Sequence, residues 1–256
     1  MIGALFGDIV GSLYEHHRVK TTDFPLFQAG SRFTDDTVLT IATAESLLSG
    51  DTYDRAYRRW GRRYPNAGYG GAFRRWLAAP EAGPYNSWGN GSAMRVSPVA
   101  WAHDSVEAVL TAAERSAAVT HDHPEGIKGA QAAALAVFLA RKGTPKPEIR
   151  RALADRFGYD LSRSIEDIRA VYSFDVSCQG SVPEALIAFL DTGDAESAVR
   201  AAISLGGDAD TQAAIAGAAA VAFDRGIPAP VRDEIVARLP QDMLEVLLTF
   251  EKRYCA

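Results

Sequence analysis

The stretch 210–223 reads Asp-Thr-Gln-Ala-Ala-Ile-Ala-Gly-Ala-Ala-Ala-Val-Ala-Phe. Alanine is the strongest helix former, so this run is predicted to be a helix. Its side chains are so small that other helices can approach its backbone closely. A helix of this kind belongs at the centre of a bundle, packed on several sides. The rest of the chain supplies the neighbours. Helical patterns cover 36–48, 106–119, 125–142, 147–157, 183–190, 196–205, 231–239 and 243–253, with Gly50 and Gly143 as stops. No strand-like alternation bounded by hairpin turns interrupts them. The expected fold is all-α: a compact, single-domain, multi-helix bundle over 1–256. No Ser/Gly run or charge block acts as a linker, and 142–147 reads as a short inter-helix loop.

Charge narrows the function classes. There are 27 Lys and Arg against 32 Asp and Glu, a net charge of −5. That balance argues against a nucleic-acid partner. The local arginines at 55–63, beside Trp60 and Trp76, read as a solvated helix face. Cys178 and Cys255 form neither a zinc pattern nor a disulfide framework. The apolar stretches carry charges or end too soon to span a bilayer, and the first residues lack a basic, cleavable leader. A reduced, cytoplasmic protein with no membrane partner is expected.

Two acidic segments stand out, and each opens a helix. One is Phe33-Thr34-Asp35-Asp36-Thr37; the other is Gly206-Gly207-Asp208-Ala209-Asp210-Thr211. A single Asp or Thr at a helix start is explained by capping and by the helix dipole. Two carboxylates crowded at each start are not, because like charges this close are costly unless a cation neutralises them. Hard oxygen donors suit Mg²⁺, Mn²⁺ or Ca²⁺. If the two helix starts face each other, they can hold two divalent ions that orient hydroxyls and activate a water.

The segment Trp88-Gly89-Asn90-Gly91-Ser92-Ala93-Met94-Arg95 adds a glycine loop. Its backbone N–H groups and the Ser92 hydroxyl are candidate phosphate donors, and Arg95 faces either a phosphate or a structural carboxylate. Taken alone, Gly-Asn-Gly is a turn. In Thr120-His121-Asp122-His123-Pro124, capping plus a polar contact from His121 to a ligand is preferred over a metal site. Glu15 lies in an expected loop and, by sequence alone, is an exposed glutamate.

These segments, with Gly3-Ala4-Leu5-Phe6-Gly7-Asp8, occur in an order that resembles the ADP-ribosylglycohydrolase family. That family includes the dinitrogenase-reductase-activating glycohydrolases and the arginine- and serine-directed ADP-ribose hydrolases. The resemblance runs from about Met1 to Pro228. It implies a binuclear Mg²⁺ or Mn²⁺ cleft in a helical bundle. By position, Thr34, Asp35, Asp36, Asp208, Asp210 and Thr211 become metal ligands. Gly89, Asn90, Gly91, Ser92, Met94, Arg95, His121, Gly206 and Gly207 become contacts to ADP-ribose. Glu15 matches the mobile glutamate of the serine-directed branch, with Leu13 where an aromatic is usual. Ala209 replaces a common Thr between ligands.

The implied reaction is release of ADP-ribose from a mono-ADP-ribosylated protein or small molecule. Metal-activated water attacks ribose C1″, and Asp36 or Glu15 handles the proton. Arginine-linked substrates are slightly favoured, because Glu15 is the only obvious acid outside the metal set and its position is open. Tyr69 is a further candidate for gripping the leaving group. The alternatives are a serine-linked or O-acetyl-ADP-ribose hydrolase, a pyrophosphate-cleaving enzyme, and a non-catalytic ADP-ribose-binding relative. The intact set of six metal-ligand positions argues against the last.

Overall fold

The computed structural model describes residues 1–255. In chain order the helices are α1 (Ile2–Gly11), α2 (Asp35–Ser49), α3 (Tyr53–Arg63), α4 (Gly71–Ala78), α5 (Gly91–Met94), α6 (Ser97–Ala102), α7 (Val106–Ala118), α8 (Pro124–Arg141), α9 (Lys146–Phe157), α10 (Ile165–Val171), α11 (Cys178–Leu190), α12 (Ala195–Ile203), α13 (Ala209–Asp224), α14 (Ala229–Val236) and α15 (Gln241–Tyr254). Among the described residues the only β pairing is one isolated antiparallel bridge, Gly89 to Ser177. The all-α expectation holds.

The small-residue helix is the hub. Residues Ala209 to Ala222 of α13 are all buried, and α1, α8, α11 and α12 pack around it. Its most extensive neighbour is α1, which the helical patterns above leave out. Glycines at 3, 7 and 11 each disfavour a helix by roughly 1 kcal/mol. Tertiary packing overrides that preference. The three glycines share one face and lie flat on α13, so that a Cβ at Gly3, Gly7 or Gly11 would collide with the backbone of Gly217, Ala213 or Asp210. This close approach is what brings Asp8 of α1 up to Asp210 of α13.

Gly7→Ala should therefore destabilise the protein by roughly 1–3 kcal/mol or more, because backbone on both sides leaves nothing flexible to yield. Differential scanning fluorimetry should show a fall of several degrees in Tm. An unchanged Tm would contradict this packing.

Two other local expectations change. α11 starts at Cys178, not Pro183, because the Ser177 side chain accepts the Gly180 N–H as an N-cap. The arginine face of α3 is also not uniformly solvated. Arg58 is buried, stacks on Trp76 at 3.7 Å, and donates to the carbonyls of Trp76, Ala79 and Ala82.

Candidate active site

The N-termini of α2 and α13 face each other, and α1 supplies a third side. Thr34 caps α2, its hydroxyl accepting the Asp36 N–H. The same hydroxyl donates to Asp8 Oδ1 at 2.6 Å, while the Thr34 and Thr37 N–H groups donate to Asp8 Oδ2 at 2.9 and 3.0 Å. Asp8 thus holds the whole turn that carries Asp35 and Asp36. Across the gap, the Thr211 hydroxyl donates to Asp36 Oδ2 at 3.2 Å. Asn90, from the glycine loop, donates to Asp208 Oδ2 at 2.7 Å. Asp208 occupies the N-cap position of α13, yet its side chain makes no capping hydrogen bond. Capping does not explain it.

The carboxylates form two triads. Oxygens of Asp8, Asp36 and Asp210 lie within 4.8 Å of one another, and so do those of Glu15, Asp208 and Asp210. Asp210 belongs to both. Burial, then the charge of Asp210, pushes Asp35, Asp36 and Asp208 well above the usual carboxylate range. The same two causes push Asp8 up to about 7 and raise Glu15. Among the described residues, no lysine or arginine forms an ion pair with any of these five aspartates. Asp36 Oδ1 and the Thr37 hydroxyl are buried without a hydrogen-bond partner. An all-oxygen donor set, mutual repulsion and an orphaned carboxylate oxygen fit a hard divalent cation.

The electrostatics carry a pH signature. In metal-free protein these raised carboxyls hold protons more tightly than the unfolded chain does. Their contribution to stability is therefore fully present below the unfolded carboxylate range and is lost as pH rises through their raised folded-state values, for Asp8 about 7. The Tm of chelated protein should fall between pH 5 and pH 8, and Mg²⁺ should flatten that fall. A metal-free Tm that rises across the interval would contradict the carboxylate cluster.

A cleft of about 510 Å³ opens above the acids. Glu15, Thr34, Asp35, Asp36, Asp208, Asp210 and Thr211 line it. Gly89, Asn90, Gly91, Met94, Arg95 and His121 line it as well, together with Tyr85 and Ser87. The sequence-predicted residues thus converge, with several changes of role. Ser92 is buried and donates to the Gly126 carbonyl at 2.7 Å, so its hydroxyl is not offered to a phosphate. Gly206 and Gly207 are not among the lining residues. Gly206 adopts φ +68 beside Lys20, and Gly207 packs against Tyr172 and Gln212. Arg95 is fully buried and pairs with no carboxylate; its Nη2 donates to the Ser116 carbonyl and the Thr120 hydroxyl. Tyr69 is buried against Phe73, and only its neighbours Gly68 and Gly70 reach the cleft. His123 caps α8, as the capping reading requires.

Sequence reasoning gave Asp8 no role of its own. The available signal was a lone acid on an otherwise apolar, glycine-spaced helix.

Comparison with known proteins agrees with this geometry. The family model for ADP-ribosylglycohydrolase matches residues 1–253. Human ADP-ribosylhydrolase ARH3 is 30% identical over 305 aligned residues, covering 87% of this chain and 84% of that protein. ADP-ribosylarginine hydrolase Tri1 of Pseudomonas putida is 28% identical, over 85% of this chain and 67% of that one. A solved structure, an ADP-ribosylglycohydrolase-related protein complex, superposes with a TM-score of 0.72 at 29% identity, covering 98% of this chain and 95% of its own. The chain belongs to the ADP-ribosylglycohydrolase family, and it is a hydrolase of that family. Among the described residues, no helix is long and apolar enough to cross a membrane.

Proposed function

We propose that this protein releases ADP-ribose from mono-ADP-ribosylated protein or small-molecule conjugates, using two Mg²⁺ or Mn²⁺ ions. The observation that carries the reading is the pair of carboxylate triads sharing Asp210, whose members other than Asp8 line a single cleft. Asp36 and Asp210, with Thr34, Asp35 and Thr211 beside them, would hold one ion. Asp208 and Asp210 would hold the other, with Glu15 beside them. Such ions supply Lewis acidity, which orients ribose hydroxyls and makes a water nucleophilic at neutral pH. The chain does the rest. Carboxylates around the ribose tolerate positive charge developing at C1″. The Gly91 N–H and His121 would hold the diphosphate side and fix the scissile bond over the acids, the Gly89 and Asn90 N–H groups being taken by the Ser87 hydroxyl and the Val176 carbonyl. Glu15 moves the proton to or from the leaving group.

The favoured linkage changes from the sequence-based expectation. Arginine was favoured there because the position of Glu15 was open. A glutamate lining the cleft and half-buried supports an oxygen-linked leaving group, since an alkoxide departs only with an acid in reach. Arginine linkage is the second reading, favoured by the name of the Pseudomonas relative. Side-by-side kcat/KM values for serine-linked and arginine-linked ADP-ribosyl peptides test the choice. A clear preference for the serine-linked peptide is expected; a preference for arginine would overturn it.

A further inference from the structure

His121 lines the cleft against the glycine loop, and which of its nitrogens carries the proton decides what it can recognise. Its Nε2 faces the glycine loop: a Cβ on Gly91 would sit 3.2 Å from it, and one on Gly89 3.6 Å. Its Nδ1 lies 2.7 Å from the Thr120 hydroxyl. That hydroxyl is fully buried and also receives Arg95 Nη2 at 2.9 Å. A guanidinium has no acceptor, so the hydroxyl oxygen must accept from Arg95. Its own proton then needs an acceptor. Among the described residues, Nδ1 is the partner within hydrogen-bonding distance. Arg95 is itself fixed, stacked at 4.2 Å on the Tyr57 ring and bonded to the Ser116 carbonyl at 3.0 Å.

We infer that Arg95 and Thr120 are positioning residues that lock His121 as a neutral imidazole with its proton on Nε2. The relay runs from the Arg95 guanidinium through the Thr120 hydroxyl to Nδ1, and it presents a fixed N–H donor to the cleft. Burial and the Arg95 charge both hold the imidazole well below its usual range, so mild acidification does not turn it into a cation. The ligand atom meeting Nε2 must then be an acceptor, such as a phosphate or ribose oxygen. Arg95 thus serves recognition through His121. The identity of that ligand rests on the function proposed above; the tautomer does not.

Long-range ¹H–¹⁵N spectra of the histidine side chains, with His121→Gln assigning the signal, read the tautomer in ligand-free protein. Wild type should show a protonated Nε2 and a bare Nδ1. Thr120→Val should lose that single tautomer and weaken ADP-ribose binding by calorimetry roughly tenfold, the size of one misplaced hydrogen bond. Thr120→Ser, which keeps the hydroxyl, should restore both. A proton on Nδ1 in wild type, or an unchanged tautomer in a folded Thr120→Val, would overturn the relay. Failure of wild type to bind ADP-ribose would overturn the functional reading instead, and the wild-type spectrum would still decide the relay.

Discussion

Asp210→Asn should abolish turnover and, at the same time, leave the metal-free protein at least as stable as wild type. Asp210 is the carboxylate common to both triads. It is also the leading charge that raises Asp35, Asp36 and Asp208. Removing that charge relieves repulsion in the empty cluster, and asparagine keeps a side-chain oxygen for the Thr211 N–H that Asp210 Oδ1 accepts at 2.9 Å. With metal present the sign reverses. Wild type gains stability by binding an ion that the unfolded chain does not hold, while the variant gains little. Metal-assisted catalysis is worth several kcal/mol, so kcat/KM should fall by roughly 10³-fold or more. Fluorimetry with and without Mg²⁺, bound-metal analysis and kinetics check the three parts. A variant that is less stable without metal, or that keeps its Mg²⁺ stabilisation, would show that Asp210 is structural.

Glu15→Gln should lower kcat by about 10²–10⁴-fold, the usual worth of a general acid or base, with little change in affinity for ADP-ribose. Glu15 follows α1 and stands in the cleft beside Asp208 and Asp210. Its carboxyl is raised by burial and by Asp210. Glutamine keeps the shape and removes the proton transfer. On the function proposed above, product binding is then preserved, because Gly91 and His121 would hold the diphosphate. Steady-state kinetics on a serine-linked peptide, with ADP-ribose affinity measured alongside, separate the two quantities. An unchanged kcat would return Glu15 to an ordinary loop residue. A matched loss of affinity would make it a ligand of the metal or substrate only.

The acidic clusters were legible because the chemistry is local. Thr34-Asp35-Asp36 and Asp208-Ala209-Asp210-Thr211 each carry too much charge for a helix start, and the alanine run marks α13 as the hub. What escaped depends on contacts between distant segments. α1 reads as a poor helix until its glycines are matched to Gly217 and Ala213 on another element. Asp8 looks idle until Thr34 and Thr37 close on it. Arg95 shows only its charge in the sequence, which suits a phosphate and a structural carboxylate alike. Its direction is set by Ser116 and Thr120, at the end of a helix packed behind it. The spacing of glycines at 3, 7 and 11, read together with a small-residue helix elsewhere, was the one signal that pointed to α1.

The most direct measurement is product analysis. A serine-linked mono-ADP-ribosylated peptide is incubated with the enzyme and Mg²⁺ or Mn²⁺, with a chelator control, and the products are separated and weighed by mass spectrometry. Attack at C1″ predicts intact ADP-ribose and unmodified peptide, with release stopping in chelator. AMP together with a phosphoribosyl peptide, or release of ADP-ribose unaffected by chelator, would contradict hydrolysis at the ribose by a metal-loaded cleft.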